Sequence, residues 1–242
     1  MIIWSVGYKE VKKRVGIIGS SGGSALIAAT YCLAKAGYEL DPVIVVDRKC
    51  GIVDWANDQG YKLFHFPYNS PESFSMESLR LFQDEGCEDV LLFYTRRVST
   101  PLINTLQVWN IHPSLLPAFA GLHSIQQALL AGVSLFGATL HRVDAGFDTG
   151  PITAQVVAPL LPGTLEQRLQ RLSYIQKVWL TLVWFEKVNY PEKVRFPYHS
   201  LLPGLSLSSS DLLDVELKKI FLEWLQQLEP DNIVRENRLC KL

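Results

Sequence analysis

The stretch that decides the fold is residues 15–46, which read VGIIGSSGGSALIAATYCLAKAGYELDPVIVV. The apolar run at 15–18 suits a short strand that ends in a Gly/Ser turn, and the segment at 24–36 suits a helix with Ser24 as its N-cap. Residues 43–46 form a continuous β-branched run of the kind that parallel sheets bury on both faces. These residues therefore predict a strand–helix–strand unit.

The same alternation continues along the chain. Helical patterns at 52–57 and 71–84 alternate with apolar runs at 61–66, 90–94 and 106–111. Alternating strands and helices predict an α/β fold, namely a Rossmann-like, open, mostly parallel twisted sheet with right-handed crossovers and helices on both faces.

Beyond residue 117 the pattern changes. A helix at 122–130 and strands at 134–143 and 152–157 are predicted there. A long apolar-periodic helix at 164–188 follows, and its apolar face should pack on the sheet.

The length of 242 residues suits one domain with appendages. We divide the chain into an N-terminal extension (1–13), one α/β domain (14–194) and a helical C-terminal accessory segment (195–242). Within the last, residues 211–228 are amphipathic, which gives that segment a face for packing or for a homodimer.

Composition excludes several classes of function. Apolar residues make up 48% and charged residues 19% of the chain, as in ordinary globular proteins. The net charge is −1 without a basic block, so neither nucleic acid nor a membrane surface is expected as a partner. The first residues do not resemble a secretory leader, and the longest apolar stretch, 178–185, is too short to span a bilayer.

The cysteines predict a reducing compartment. They are scattered without the spacing of a metal site, so we expect reduced thiols, a cytoplasmic protein and no bound metal. The four positions are Cys32, Cys50, Cys87 and Cys240.

Two polar side chains at the end of the strand at 106–111 point to chemistry. Asn110 and His112 are two residues apart, so they project on one face while Ile111 faces the other way. Pro113 favours an extended conformation for His112. An amide donor beside a titratable imidazole can act on a carbonyl that becomes an oxyanion, which predicts an enzyme.

Several spaced motifs extend this pattern. They are NIHPSLLP at 110–117, GLH at 121–123, GATLH at 137–141 and DAGFDTGP at 144–151. In this order they resemble the folate-dependent formyltransferases, and within them the glycinamide ribonucleotide formyltransferases of purine synthesis. The resemblance runs from about Arg14 to Tyr190 and is densest between Arg96 and Ala158.

The resemblance implies formyl transfer from 10-formyltetrahydrofolate to a primary amine. It assigns Asn110 and His112 to the formyl oxygen, where one such donor typically lowers an acyl-transfer barrier by roughly 3–4 kcal/mol. It assigns Asp148 to stabilising the imidazolium and collecting the amine proton. Taken singly, each of these residues also suits an ordinary structural role, such as an Asx-turn for Asp148.

The resemblance also implies where folate binds, in the half of the domain at 109–194 together with a segment before Pro101. The pterin ring would contact main-chain groups of two segments and the side chain of one histidine. The expected residues are Arg97, Val98, Ser99, His141, Asp144, Ala145 and Gly146. Gly146 is expected to adopt a positive φ, and His141 suits structural packing equally well.

The Gly/Ser turn at 19–24 is expected to bind the acceptor's phosphate, in the half at 14–108. A turn between a strand and a helix presents N–H groups at the positive end of the helix. The expected residues are Gly22, Gly23, Ser24 and Ala25. The rival interpretation is a dinucleotide-binding Rossmann module with Asp47 on a ribose, but the glycine spacing departs from that fingerprint.

Three departures bear on the acceptor. Purine-pathway members carry an Asn where Ala25 stands, an acidic residue with Tyr-Pro on the last helix, and a phosphate-binding arginine near 64–69. Here the last helix reads LSYIQKV at 172–178, and 64–69 contains no arginine. The chemistry is therefore predicted more firmly than the acceptor, and an amino sugar or a specialised-metabolite amine is an alternative.

A hydrolase is a further alternative. Formyltetrahydrofolate deformylases use a similar trio with water as the nucleophile. That family carries an N-terminal regulatory domain. Only residues 1–13 precede the predicted α/β domain here, which favours transfer over hydrolysis.

Overall fold

The computed structural model describes Lys9, residues 13–192 and residues 207–228. The predicted extension at 1–13 and accessory segment at 195–242 therefore lie partly outside the described residues, as does Cys240.

The elements follow the predicted alternation. The strands are β1 (Gly16–Gly19), β2 (Val43–Val46), β3 (Lys62–His65), β4 (Asp89–Phe93), β5 (Gln107–His112), β6 (Leu135–Arg142), β7 (Ile152–Pro159) and β8 (Leu207–Ser208). The helices are α1 (Ser24–Lys35), α2 (Gly51–Gln59), α3 (Pro71–Asp84), α4 (Thr100–Thr105), α5 (Ser124–Leu130), α6 (Glu166–Asn189) and α7 (Val215–Leu228). The sequence did not predict α4 and β8, because six and two residues are too short for a periodic pattern.

All described strands form one sheet in the order β3-β2-β1-β4-β5-β6-β7-β8. The first five run parallel, and β6, β7 and β8 each pair antiparallel with their neighbours. The predicted mostly parallel α/β fold is confirmed. Both faces of the central strands are buried, which explains why β2 is apolar at every position.

Two layers of helices cover the sheet. On one face, α6 packs against α1 and β6, and α7 packs against α1. On the other face, α3 and α4 pack against each other. Alternate residues of each strand enter the two layers, so Ile17 belongs to the core under α1 while Ile18 belongs to the core under α3.

The predicted N-cap of α1 is wrong. Gly23 is the N-cap, with φ 64°, and Ser24 is the first helical residue. A Cβ atom on Gly23 would lie 2.3 Å from the Ile52 side chain, so both its backbone conformation and its closeness to α2 require glycine. The turn after β1 is thus pressed against the start of α2.

The amphipathic segment near the C-terminus forms α7 and docks on the same chain. Leu217, Phe221 and Leu225 are fully buried, and the Phe221 ring lies 5.1 Å from that of Trp179 on α6. The buried Glu186 carboxylate accepts hydrogen bonds from the backbone N–H groups of residues 213 and 214 just before α7. The face that we expected to pair two subunits is therefore covered from within, and a homodimer stays a prediction.

Two observations concern the environment of the chain. In the described ranges, no helix combines the length and hydropathy that a bilayer crossing demands. The thiols of Cys32, Cys50 and Cys87 are free, and burial raises the pKa of both Cys32 and Cys87 to about 12. Those two buried thiols are therefore held in the protonated, unreactive form.

Candidate active site

A cleft of about 720 Å³ opens at the carboxyl ends of the parallel strands. It lies where the chain order reverses, since β1 has β2 on one side and β4 on the other. Open α/β sheets bind ligands at this switch point. The cleft brings together residues after β1, β4 and β5 with the loop that joins β6 and β7.

His112 ends β5 and has an acceptor at each ring nitrogen. Its Nδ1 lies 3.1 Å from the Oδ2 atom of Asp148, and its Nε2 lies 2.8 Å from the carbonyl oxygen of Phe119. Because a carboxylate and a carbonyl can only accept, the ring satisfies both by donating from both nitrogens. Both ring nitrogens of His112 are thus directed at acceptors, which fixes the orientation of the ring.

The Asp148 carboxylate is the centre of the site. It accepts from Asn110 Nδ2 at 3.3 Å and from the backbone N–H of Gly121 at 2.9 Å, in addition to His112. His141 Nε2 lies 3.5 Å away. The fold thus brings Asp148, which is distant in sequence, into direct contact with both Asn110 and His112.

These donors keep Asp148 ionised. Burial alone would raise the pKa of its carboxyl group, but the hydrogen bonds from His112 and His141, the charge of His112 and the Gly121 N–H outweigh burial. The net result is a pKa far below the ordinary value of an aspartate.

His141 supports the trio from β6. Its Nδ1 lies 2.8 Å from the carbonyl oxygen of Arg142, and its Nε2 lies 3.3 Å from Asn110 Nδ2. The ring is almost fully buried, although it borders the cleft. Its contacts are those of a residue that positions Asn110 and Asp148.

A buried hydroxyl fixes the segment after His112. Thr139 Oγ1 donates to the carbonyl of Ser114 at 2.7 Å and accepts from the N–H of Leu116 at 3.0 Å. Gln155 Nε2 also donates to this hydroxyl, at 3.0 Å. The motif GATLH at 137–141 thus supplies two side chains. His141 contacts the site, and Thr139 fixes the segment that follows His112.

The turn that carries Asp148 has a different geometry from the predicted one. Gly146 does not have a positive φ; Asp148 does, at 54°. Glycine is needed at 146 because a Cβ there would lie 2.0 Å from Thr149 Oγ1. The local Asx-turn is made by Asp144, which accepts from the N–H of Gly146, so the Asp148 carboxylate is left for the site.

The two segments that were expected to hold the pterin ring meet at the cleft. Arg97 Nη2 donates to the carbonyl of Ala145 at 3.2 Å, and its guanidinium lies 4.5 Å from the centre of the Phe147 ring. Val98 and Asp144 also line the cleft. Ser99 does not; its N–H donates to Ser75 Oγ at 2.8 Å, and it is the N-cap of α4.

The turn after β1 reaches the cleft through one residue. Ser21 lines the cleft, whereas the expected residues at 22–25 are not among the lining residues. Gly22 and Ser24 are exposed at the start of α1, while Gly23 and Ala25 are buried. Their predicted role in phosphate binding stays a prediction.

Several cleft residues were not predicted. Tyr68, Arg96 and Lys177 line it, and none lies in a recognisable motif for this role. Arg96 is positioned by the buried Asp47, whose Oδ2 atom lies 3.0 Å from Arg96 Nη1. The second-strand aspartate that a dinucleotide fold would place on a ribose is therefore engaged with arginine here.

Comparison with known proteins bears on this geometry. Residues 13–182 match the profile described as Formyl transferase. A trifunctional purine biosynthetic protein adenosine-3 from Drosophila pseudoobscura pseudoobscura is 36% identical over 179 residues, or 69% of this chain. The chain spans only 13% of the length of that protein.

Two bacterial proteins match over most of their length. A phosphoribosylglycinamide formyltransferase from Bacillus subtilis (strain 168) is 31% identical, over 67% of this chain and 89% of its own. The crystal structure of glycinamide ribonucleotide transformylase 1 from Geobacillus kaustophilus is 32% identical with a TM-score of 0.67, over 73% of this chain and 98% of its own.

Proposed function

The chain belongs to the formyl transferase family, and on that premise we propose that it moves a formyl group from 10-formyltetrahydrofolate to a primary amine in the cytoplasm. The default acceptor is glycinamide ribonucleotide, in purine biosynthesis, because the relatives that match over most of their length carry that name. The single observation that carries the chemistry is the contact of Asp148 with both His112 and Asn110.

In the proposed reaction, the acceptor nitrogen attacks the formyl carbon and an oxyanion forms. His112 Nε2–H exchanges the carbonyl of Phe119 for this oxygen, and Asn110 turns one amide hydrogen toward it. Asp148 holds the ring in place through Nδ1 while the oxyanion forms. Such preorganised donors lower the barrier most where solvent is excluded.

The proton transfer and the departure of the leaving group are proposed to occur at the same site. The attacking amine loses a proton to Asp148, directly or through water, as the carbon–N10 bond of the intermediate breaks. The proton is delivered to N10, and tetrahydrofolate leaves. Asp148 suits this step because it is ionised and borders the cleft.

Folate is proposed to lie along the segments at 97–98 and 144–147. The pterin ring would use main-chain groups there, and the exposed Phe147 ring, 62% accessible, offers an aromatic surface at the mouth of the cleft. His141 acts in this proposal by holding Asn110 and Asp148 rather than by touching folate.

The experiment supplies 10-formyltetrahydrofolate with and without glycinamide ribonucleotide and follows tetrahydrofolate. We expect turnover only when the amine is present. Turnover with water alone would indicate a hydrolase, and turnover with an amino sugar but not glycinamide ribonucleotide would change the acceptor. No turnover, combined with protection from heat by NAD(P)H, would contradict the proposal and favour a dinucleotide-binding module.

A further inference from the structure

Lys177 is the one residue of α6 that lines the cleft. Its helix packs against α1, at whose start lies the turn after β1, and against β6. The same cleft is lined by Ser21 of that turn. Lys177 therefore reaches the cleft from the helix that packs against α1, whereas the segments at 97–98 and 144–147 reach it from loops.

The Lys177 ammonium lacks a counter-ion within the described ranges 13–192 and 207–228. No ion pair or hydrogen bond of the ammonium is found there, and the side-chain hydrogen bond from Thr181 goes to the backbone carbonyl of Lys177. Burial lowers the pKa of the ammonium group. Burying an unpaired ammonium costs free energy, so a purely structural role gives no reason for a lysine here.

The other charged groups of the cleft are engaged. Arg96 pairs with Asp47, and Arg97 donates to the carbonyl of Ala145. Asp148 accepts from His112, Asn110 and the N–H of Gly121, and Asp144 accepts from Thr149. Lys177 thus differs from these groups, because no hydrogen bond or ion pair of its ammonium is found among residues 13–192 and 207–228.

The charge of this side chain fixes the kind of group that it can bind. An ammonium attracts phosphate and carboxylate groups, which an acidic side chain would repel.

We propose that Lys177 is the specificity-determining residue of the acceptor half of the cleft, where its ammonium binds an oxyanion group of the amine acceptor. The inference rests on the proposed function, because it concerns the acceptor of that reaction. The oxyanion is a phosphate or a carboxylate on the acceptor.

The first test measures binding of inorganic phosphate and of acetate by calorimetry, without folate or amine. We compare the wild type with Lys177→Gln, Lys177→Glu and Lys177→Arg. Lys219→Gln is the matched control, because Lys219 is 62% exposed on α7 and its removal changes the net charge equally.

We expect Lys177→Gln to weaken binding of one of the two anions by about tenfold or more, as loss of a charge-assisted bond predicts. Lys177→Glu should abolish that binding, and Lys177→Arg and Lys219→Gln should retain it. The anion that binds identifies the source as phosphate or carboxylate. Equal binding by the wild type and Lys177→Glu would overturn the inference, and so would failure of the wild type to bind either anion.

The second test uses turnover. Lys177→Gln should raise the KM for glycinamide ribonucleotide and leave the KM for 10-formyltetrahydrofolate unchanged. The dephosphorylated analogue of glycinamide ribonucleotide should react equally well with the wild type and with Lys177→Gln. An equal loss for both acceptors would overturn a role for Lys177 in binding phosphate. Anion binding that depends on Lys177, in a wild type that formylates no amine, would support the anion site while the proposed function fails.

Discussion

The two halves of the cleft differ in how their polar groups are satisfied. On the side of β5 and β6, His112, Asn110 and Asp148 hold one another through bonds of 3.1–3.3 Å. On the side of α1 and α6, Lys177 faces the cleft without a recorded partner in the described residues. The first half is complete before a ligand arrives, whereas the second has a charge that a ligand would neutralise.

This difference separates chemistry from specificity. Preorganised groups act on the atoms that every formyl transfer shares, so their substitution should change kcat. An uncompensated charge acts on the part of the acceptor that varies, so its substitution should change KM. The predictions that follow test the first half by removing its groups in turn.

The largest effect is expected for Asp148→Asn. Asparagine tolerates the positive φ of residue 148 and keeps the shape of the side chain, but it removes the charge that pairs with His112. We expect kcat to fall by about 10³-fold or more, since a positioned base and its electrostatic support are both lost. Rapid-quench kinetics measure kcat, and fluorescence titration should show unchanged folate affinity. Near-normal turnover would remove Asp148 from the reaction.

His112→Gln is expected to be the next most damaging change. Glutamine has a single amide nitrogen, so it cannot face Asp148 and the carbonyl of Phe119 from opposite sides as the two ring nitrogens of His112 do. We expect kcat to fall by about 10²–10³-fold. Steady-state kinetics measure this, and a His65→Gln variant, outside the cleft, serves as the control. A larger change in folate KM than in kcat would mean that His112 binds rather than catalyses.

His141→Gln should have an intermediate effect. The ring orients Asn110 and Asp148 without a free donor for the substrate, so its loss misplaces groups instead of deleting one. We expect kcat to fall by about 10–100-fold, as small misplacements of catalytic groups do. Both KM values should change little. An unchanged kcat with lower stability would reduce His141 to a packing residue.

The smallest effect concerns stability and pH. Because the folded pKa of Asp148 is depressed, its contribution to stability is present above the unfolded pKa of about 4 and is lost as pH falls further. One such group changes the free energy of unfolding by at most about 1.4 kcal/mol per pH unit. Urea unfolding between neutral and acidic pH should therefore show a steeper loss for the wild type than for Asp148→Asn. Parallel curves would contradict the depressed pKa.

The sequence predicted the fold and the pair Asn110 and His112 because both rest on short-range patterns. Alternating apolar runs and helices specify a parallel sheet, and the spacing of two in Asn110-Ile111-His112 places both polar groups on one face. Asp148 was reached only through the resemblance of its motif. Its contact with His112 depends on the antiparallel pairing of β5 with β6, which residue spacing alone does not reveal.

The geometry of the turns and the acceptor half escaped prediction for physical reasons. The positive φ was expected at Gly146 but occurs at Asp148, because tertiary bonds to the carboxylate set that backbone conformation. Lys177 lies in the middle of an apolar-periodic helix, where a lysine suggests only a solvated face. Its approach to the cleft depends on how α6 crosses the sheet.

The most direct test follows the formyl carbon itself. The protein is mixed with 10-formyltetrahydrofolate labelled with ¹³C in the formyl group and with glycinamide ribonucleotide, and the products are identified by NMR. The account predicts that the label appears in a formamide on the acceptor and that Asp148→Asn slows this transfer. Label recovered as formate, or label that stays on folate with the wild type, would contradict it.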